Sequence, residues 1–286
     1  MSHLSRVTSQ ESERADRYYT PVAPRIDTYE LHKFTEDNQA MTQLAWKIHA
    51  EGYRTMGFVK SDAVTDEGYL DGAIDKARGE SVDYYIAARP NDESESLDAA
   101  TLRKISLASG STIDRLPAYQ LCKDALYPEG EEYLRSIESP SERIKEIGAM
   151  ARTEVASPLA VFELLRNSVH ESLGRQELWF FSIVSSTYDT LSENFGSHAL
   201  RQIGEPISIN DQRVNKDIVL IPAVADIDQF FANIYTAVLE EQLPERRLKK
   251  MRSLLFFTDG IVDAALDESI SLARSDAYRK MRQQAS

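Results

Sequence analysis

The sequence predicts an α/β fold: a mixed central sheet flanked by helices, with an added helical segment at the C-terminal end. Three observations carry this. Residues 145–206 read as strand, amphipathic helix, apolar strand, short helix and return strand, and two strands joined by a helix need the crossover of a parallel pair. Residues 82–88 and 100–107 are apolar-rich runs on either side of an acidic turn at 90–98, which makes an antiparallel hairpin. Ahead of both, a half-buried strand pattern at 26–31 is followed by a helix pattern. At 286 residues the chain is long enough to bury a substantial core. The expected organisation is a mobile arm over 1–23, one domain over 24–226, and a helical extension over 227–286 packed on that domain.

Each element has its own local signal. In 26–31 apolar and polar residues alternate. Asp37 or Asn38 is placed to cap a helix with Met41, Leu44, Ala45 and Ile48 on one face, ending near Gly52. The acidic run 61–78 lacks the alternating oxygen ligands and terminal Glu of a calcium loop, so it reads as a solvated helix and connecting loop. Between 109 and 143 lies a long insert punctuated by Pro117, Pro128 and Pro140, with a helix around 116–125. In 158–172, Leu164, Leu165, Ser168 and Val169 fall at helical spacing, Ser157 and Pro158 open the helix and Gly174 closes it. A strand at 178–184, a helix at 187–195, a return strand near 203–206 and a last strand at 217–224 complete the domain.

Composition removes several classes of function. A formal net charge of −13 argues against nucleic acid, which needs clustered Lys and Arg to meet its phosphates. The single Cys122 permits neither an intramolecular disulfide nor a cysteine-based metal site. Its neighbours offer no activating base, so a buried structural thiol is the simpler reading. No metal site is expected, nor a permanently bound cofactor. The apolar runs at 178–184 and 218–227 are too short to span a bilayer, so stable membrane insertion is not expected and a cytoplasmic location is.

The order of elements around Glu146-Ile147-Gly148-Ala149-Met150-Ala151, then Phe162 to Arg166, then Leu191-Ser192-Glu193-Asn194-Phe195-Gly196 and Ile203-Gly204-Glu205-Pro206, resembles the GNAT superfamily of N-acyltransferases. It is most similar to the long-acyl branch, the N-acyl amino acid synthases and acyl-homoserine-lactone autoinducer synthases, over roughly 83–206. The resemblance implies a sheet splayed between its fourth and fifth strands. The donor's pantetheine arm pairs in that gap, here between 145–152 and 178–185, touching Phe181, Ser182 and Ile183, with the backbone N–H groups of Met150 and Ala151 polarising the thioester carbonyl. It implies an acyl carrier protein or coenzyme A thioester as donor and a small amine as acceptor. Residues 52–59, with Tyr53, resemble the aromatic loop over the acceptor end, and the register puts Ala45 and His49 where the branch carries an arginine and an aromatic. Arg103 matches an arginine-bearing strand that holds the acceptor site together. Leu116, Tyr119, Leu121, Leu126 and Tyr127 either line an acyl wall or pack the insert down.

Under the same resemblance Glu146 is the candidate base, acting directly or through water, or else an ion-pair partner of Arg103 or Arg152. The tyrosine that protonates the leaving thiol is replaced by Ser192, and Tyr188, one turn earlier on the same helix face, is the stand-in. Two departures matter. Ala149 replaces the branch's arginine, which argues against homoserine-lactone synthesis. Residues 151–158 contain no glycine and include Glu154, so strong pyrophosphate binding at the following helix is not expected. An acyl carrier protein donor, with one phosphate, tolerates that loss. The basic clusters at 246–252 and 274–282 are either a docking face for such an acidic partner or a solvated helix face. The leading expectation is an N-acyltransferase moving a medium or long acyl chain to an amine such as an amino acid. The alternatives are a catalytically inactive module binding a lipid or protein partner, and an ordinary small-molecule acetyltransferase.

Overall fold

The computed structural model describes residues 29–70, 80–89, 97–195, 200–209, 214 and 218–232. The expected arm over 1–23, the basic clusters and nearly all of the C-terminal extension lie outside them. The chain opens with β1 (Glu30–Thr35), displaced toward the C-terminus from the expected 26–31. Asn38 caps α1 (Gln39–Thr55), its Oδ1 accepting the Met41 N–H at 3.3 Å. The helix does not stop at Gly52. A Cβ there would lie 2.7 Å from the Arg152 carbonyl oxygen and 2.8 Å from the Ala151 Cβ, so this glycine permits contact with the sheet rather than ending a helix. Residues 61–63 form one 3-10 turn and Val64 bridges Leu70, in place of the first part of the expected solvated helix; residues 71–79 lie outside the described set.

Next come β2 (Ser81–Ala88), β3 (Ala99–Ser106) and the insert, whose three prolines each begin a helix: α2 (Pro117–Cys122), α3 (Pro128–Arg135) and α4 (Pro140–Arg143). Proline suits the first helical position because its missing N–H is one that the helix cannot use. The crossover is β4 (Ile144–Arg152), α5 (Pro158–Ser172) and β5 (Leu178–Val184), followed by α6 (Ser185–Phe195). Three strands close the sheet: β6 (Arg201–Gln202), β7 (Ile207–Ile209) and β8 (Ile218–Asp226). Residues 227–232 are helical.

Among the described residues the sheet runs β1-β2-β3-β4-β5-β8-β6, with β7 also on β8. The expected last strand is therefore internal, with β5 on one side and β6 and β7 on the other. The expected return strand at 203–206 is instead the link between β6 and β7. It is tied to the insert: Leu126 bridges Gly204, the Tyr127 N–H reaches the Ile203 carbonyl at 2.9 Å, and the Glu205 N–H reaches that of Ala125 at 2.7 Å.

The β4–β5 pair is parallel, as the crossover requires, and it is short. Only Ile144↔Leu178, Lys145↔Trp179 and Glu146↔Phe180 are in register. Beyond Glu146, β4 stays with β3 as far as Arg152, and beyond Phe180, β5 stays with β8 as far as Val184. The sheet is thus splayed between them. A β-bulge accompanies the parting: the β3–β4 register slips by one between Thr101 and Arg103, and Ala149 takes a φ of 49°. An extra residue in one strand bends it and increases its twist.

The two faces of the sheet carry separate cores. On one, α5 packs with Tyr85, Leu102, Ile147, Trp179 and Ile183; on the other, α1 and the insert pack with Tyr84, Ile86, Ile105, Ile144, Leu178 and Phe180. On the α5 face a buried ion pair sits beside the closed end of the splay. Lys104 Nζ is 2.7 Å from Glu177 Oε2 and 3.0 Å from Ser172 Oγ, and Trp179 Nε1–H donates to the same carboxylate at 3.1 Å. Burial works to raise the pKa of Glu177, but the Lys104 charge and these hydrogen bonds outweigh it and hold the carboxyl below its usual range. A depressed carboxyl stabilises the fold above its unfolded pKa of about 4.3 and loses that contribution as pH falls through the folded value. Lys104→Met, which strands the buried carboxylate, is expected to cost about 3–5 kcal/mol in urea unfolding at pH 7. The deficit should shrink below about pH 4 as Glu177 is neutralised; a deficit that persists unchanged there would place the loss elsewhere.

Candidate active site

Glu146 is the last residue of β4 to pair with β5, which puts it at the apex of the splay. Strand alternation turns it to the face of α1 and the insert, the face of Ile144 and Phe180. It is only 3% exposed. The N–H of Ala118 donates to its Oε2 at 2.7 Å. Ala118 is the second residue of α2, so this is a first-turn donor with no partner inside the helix. On the other oxygen, Arg103 Nη2 stands 3.5 Å from Oε1. The Arg103 side chain is 16% exposed, and its Nε is buried without a hydrogen-bond partner among the described residues. Of the two expected ion-pair partners for Glu146, Arg103 is therefore the one present. Arg152 instead turns its guanidinium onto the carbonyls of Thr153, Glu154 and Ala156.

Tyr53 lies in the last turn of α1, so the helix takes residues 52–55 of the expected loop over 52–59 and leaves 56–59 outside it. Its ring meets His49 edge-on at 4.1 Å and Phe58 at 5.7 Å, and its carbonyl accepts the Phe58 N–H at 2.9 Å. Burial pushes the Tyr53 hydroxyl up, with the Arg103 charge opposing, which places the guanidinium within electrostatic reach. Glu146 and Arg103 are thus brought together, with Tyr53 within electrostatic reach of the guanidinium. Ser182 shares the face of Phe180, and its buried Oγ has no partner among the described residues.

The other sequence candidates lie elsewhere. Phe181, Ile183 and Met150 pack into the core on the α5 face, while Ala151 is buried where α1 approaches β4. Tyr188 packs into the α5-face core and donates its hydroxyl to the Leu200 carbonyl at 3.4 Å. Ser192 Oγ, one turn on, is buried and has no partner among the described residues. In the insert, Leu116 and Tyr119 are core residues, Leu126 packs at the edge of that core, and Leu121 is 48% exposed.

The loop before α5 uses its own donors. The Ser157 N–H goes to the Tyr29 hydroxyl at 3.0 Å, the Ala156 N–H to the Thr153 carbonyl at 3.2 Å and the Ala160 N–H to the Ser157 carbonyl at 2.9 Å; Pro158 has none to offer. Three of the N–H groups around the start of α5 are thus engaged within the protein. Two contributors were not singled out by sequence reading, the Ala118 N–H and the bare surface of Gly148. Pro117 signalled the free donors that follow it, but nothing local says which carboxylate meets them. Among the described residues no cluster of three metal-ligating side chains occurs, and no helix is long and apolar enough to cross a membrane.

No protein-family model and no curated protein sequence matches the chain. Solved structures do. FeeM, an N-acyl amino acid synthase from uncultured soil microbes, aligns at 14% identity over 72% of this chain and 96% of that chain, with a TM-score of 0.46. The acyl-homoserine-lactone synthase LasI aligns at 15% identity over 69% and 90%, TM-score 0.40. MesI, a CoA-dependent acyl-homoserine lactone synthase, aligns at 12% identity over 78% and 94%, TM-score 0.44. The chain has a mixed sheet splayed between its fourth and fifth strands and flanked by helices, as expected.

Cys122 adjoins this site from α2. Burial first, and then the Glu146 charge, push its thiol up to about 12, and its Sγ–H is 2.9 Å from the Ala118 carbonyl. A thiol so raised stays protonated at neutral pH, and only the thiolate reacts. Native protein at pH 8 is expected to react with an aromatic disulfide reagent at least 100-fold more slowly than the urea-unfolded chain, which carries a free-cysteine pKa of about 8.5. Equal rates would show that Cys122 is accessible and ionised.

Proposed function

We propose that this chain is an N-acyltransferase that moves a medium or long acyl chain from an acyl carrier protein thioester, or secondarily from coenzyme A, to a small amine such as an amino acid. The observation that carries the reading is the parting of β4 and β5 directly beyond Glu146. Two strand edges then face each other with backbone groups that no strand pairs, and an extended thioester arm satisfies such edges as an added strand does. The bulge at Ala149 lies on this gap, and of the two expected donors the Met150 N–H is the better candidate to polarise the thioester carbonyl, since Ala151 pairs with Thr101 of β3.

In the reaction the amine nitrogen attacks the thioester carbon, forming the C–N bond. Glu146 takes the proton released from nitrogen, and collapse of the tetrahedral adduct breaks the C–S bond. The thiolate then gains a proton and leaves as the free thiol. Glu146 suits the first transfer because the Ala118 N–H fixes one oxygen and leaves the other toward Arg103. For the last transfer the candidates are Tyr188 and Ser192, and Tyr188 would first have to release the Leu200 carbonyl.

That engagement of Tyr188, on the α5 face rather than beside Glu146, favours a second reading, an inactive module of the same shape that binds a lipid or protein partner. An ordinary acetyltransferase fits less well, because the donors before α5 that would hold coenzyme A diphosphate are used internally. Purified protein incubated with acyl carrier protein thioesters and pooled amino acids, read by mass spectrometry, separates the three. Acyl-amine product is expected, and Glu146→Gln should lower its rate about 10²–10⁴-fold, the range for losing a general base, with the melting temperature retained. Copurified fatty acid without turnover would support the binding module, and acetyl-coenzyme A turnover indifferent to chain length would support the acetyltransferase.

A further inference from the structure

On the Glu146 face, three strands in a row carry an unusual set of positions. Arg103 of β3 pairs with Gly148 of β4. Continuing the β4–β5 register past Glu146↔Phe180 sets Ser182 across the opening gap from the same glycine. Gly148 is not a turn residue here; its bare surface makes room. A Cβ on it would meet, within 4 Å and among the described residues, Arg103 Nη2 at 3.6 Å and Glu146 Oε1 at 3.9 Å, so a notch with room for a Cβ lies over the strand, bordered by a guanidinium and a carboxylate. Two polar groups on this face are unspent: Arg103 Nε, on the guanidinium that borders Gly148, and Ser182 Oγ, on β5 beyond its last pair with β4, are each buried with no hydrogen-bond partner among the described residues. Ser182 is also the one polar side chain in the run Leu178-Trp179-Phe180-Phe181-Ser182-Ile183-Val184. Burying a donor unpaired is unfavourable, and here it happens twice on one face.

We propose that the notch over Gly148 receives the acceptor's carboxylate, held between Arg103 Nε–H and Ser182 Oγ–H, and that this delivers the neighbouring amino group to Glu146. This rests on the acyl-transfer reading and names which group of the acceptor is recognised. In an α-amino acid the nitrogen is two bonds from the carboxylate carbon, which matches a guanidinium and a carboxylate standing 3.5 Å apart. A guanidinium N–H donating to a carboxylate is a charge-assisted hydrogen bond, roughly twice as strong as a neutral one. An acceptor without the anion leaves both buried donors unpaired, the situation in which a site rejects an analogue most strongly. Ser182 and Gly148 are then specificity-determining residues, one by its hydroxyl and the other by having no side chain.

The test compares an amino acid with its own carboxamide as acceptors, at saturating acyl thioester, reading product by mass spectrometry. The wild-type protein is expected to favour the acid at least 100-fold in kcat/KM. Ser182→Ala, and Gly148→Val, which fills the notch, should each lower that ratio tenfold or more, whereas Ser182→Thr should keep it. Circular dichroism confirms that each variant is folded. A wild-type ratio near one, or a ratio unmoved by Ser182→Ala, overturns the notch while leaving acyl transfer intact. No turnover of either acceptor overturns the transfer reading instead. Titration calorimetry of the same two compounds then decides the notch separately, through tighter binding of the acid that Ser182→Ala abolishes, or equal or no binding, which would refute it.

Discussion

Everything at the site follows from where the β4–β5 register ends. Three parallel pairs are a short contact, and parallel pairing is slightly the weaker kind per residue. What keeps it from extending is that each strand has a stronger commitment on its other side: β4 to β3 along its full length, β5 to β8 along its full length. The bulge at Ala149 then bends β4 at the point of separation. An alanine with a positive φ is strained, and the strain is held by the pairs Thr101↔Ala151 and Arg103↔Gly148 on either side of it. Glu146 is the last paired residue before the splay, so its buried carboxylate stands where the two strands part.

Two elements from distant parts of the chain converge on that apex. From one side α1 arrives, able to come close because Gly52 has no side chain to strike the Arg152 carbonyl. From the other comes α2, with its first free N–H directed at Glu146. The insert is in turn tied through Leu126, Tyr127 and Ala125 to the link between β6 and β7, so the orientation of the carboxylate is set by contacts reaching the far edge of the sheet. This gives the insert a mechanical role beyond covering apolar surface: it holds one oxygen of Glu146 and turns the other toward Arg103.

The elements with strong periodicity were legible. The crossover helix over 158–172 and the strand over 178–184 coincide with their expected bounds, because a proline start and an unbroken apolar run are local facts. Glycines were misleading where their reason was tertiary. Gly52 looked like a helix stop and is a contact point, and Gly204 looked like part of a strand and is a bridge to Leu126. The placement of β8 inside the sheet was equally invisible, since strand order depends on pairing between segments that share no local signal. At the site, the Glu146 and Arg103 pairing was anticipated, whereas Tyr188 hydrogen-bonds on the α5 face because α6 presents its ring to that core. Helix phase alone does not reveal which core a half-buried tyrosine joins.

The closed loop before α5 shifts the balance of donor binding. On the acyl-transfer reading, with the Ser157, Ala156 and Ala160 N–H groups taken by Tyr29, Thr153 and Ser157 and with Arg152 folded onto its carbonyls, the loop offers a donor phosphate fewer hydrogen bonds. What remains is the backbone pairing offered along the gap and the burial of the acyl chain. Backbone pairing is the same for every thioester, so discrimination among donors falls to the chain itself, at roughly 0.8 kcal/mol for each methylene buried. An acetyl group supplies almost none of that, and a chain of eight to twelve carbons supplies several kilocalories. On that same reading, a site with fewer donors for phosphate leans on the acyl chain, which favours long acyl donors, whatever carries them.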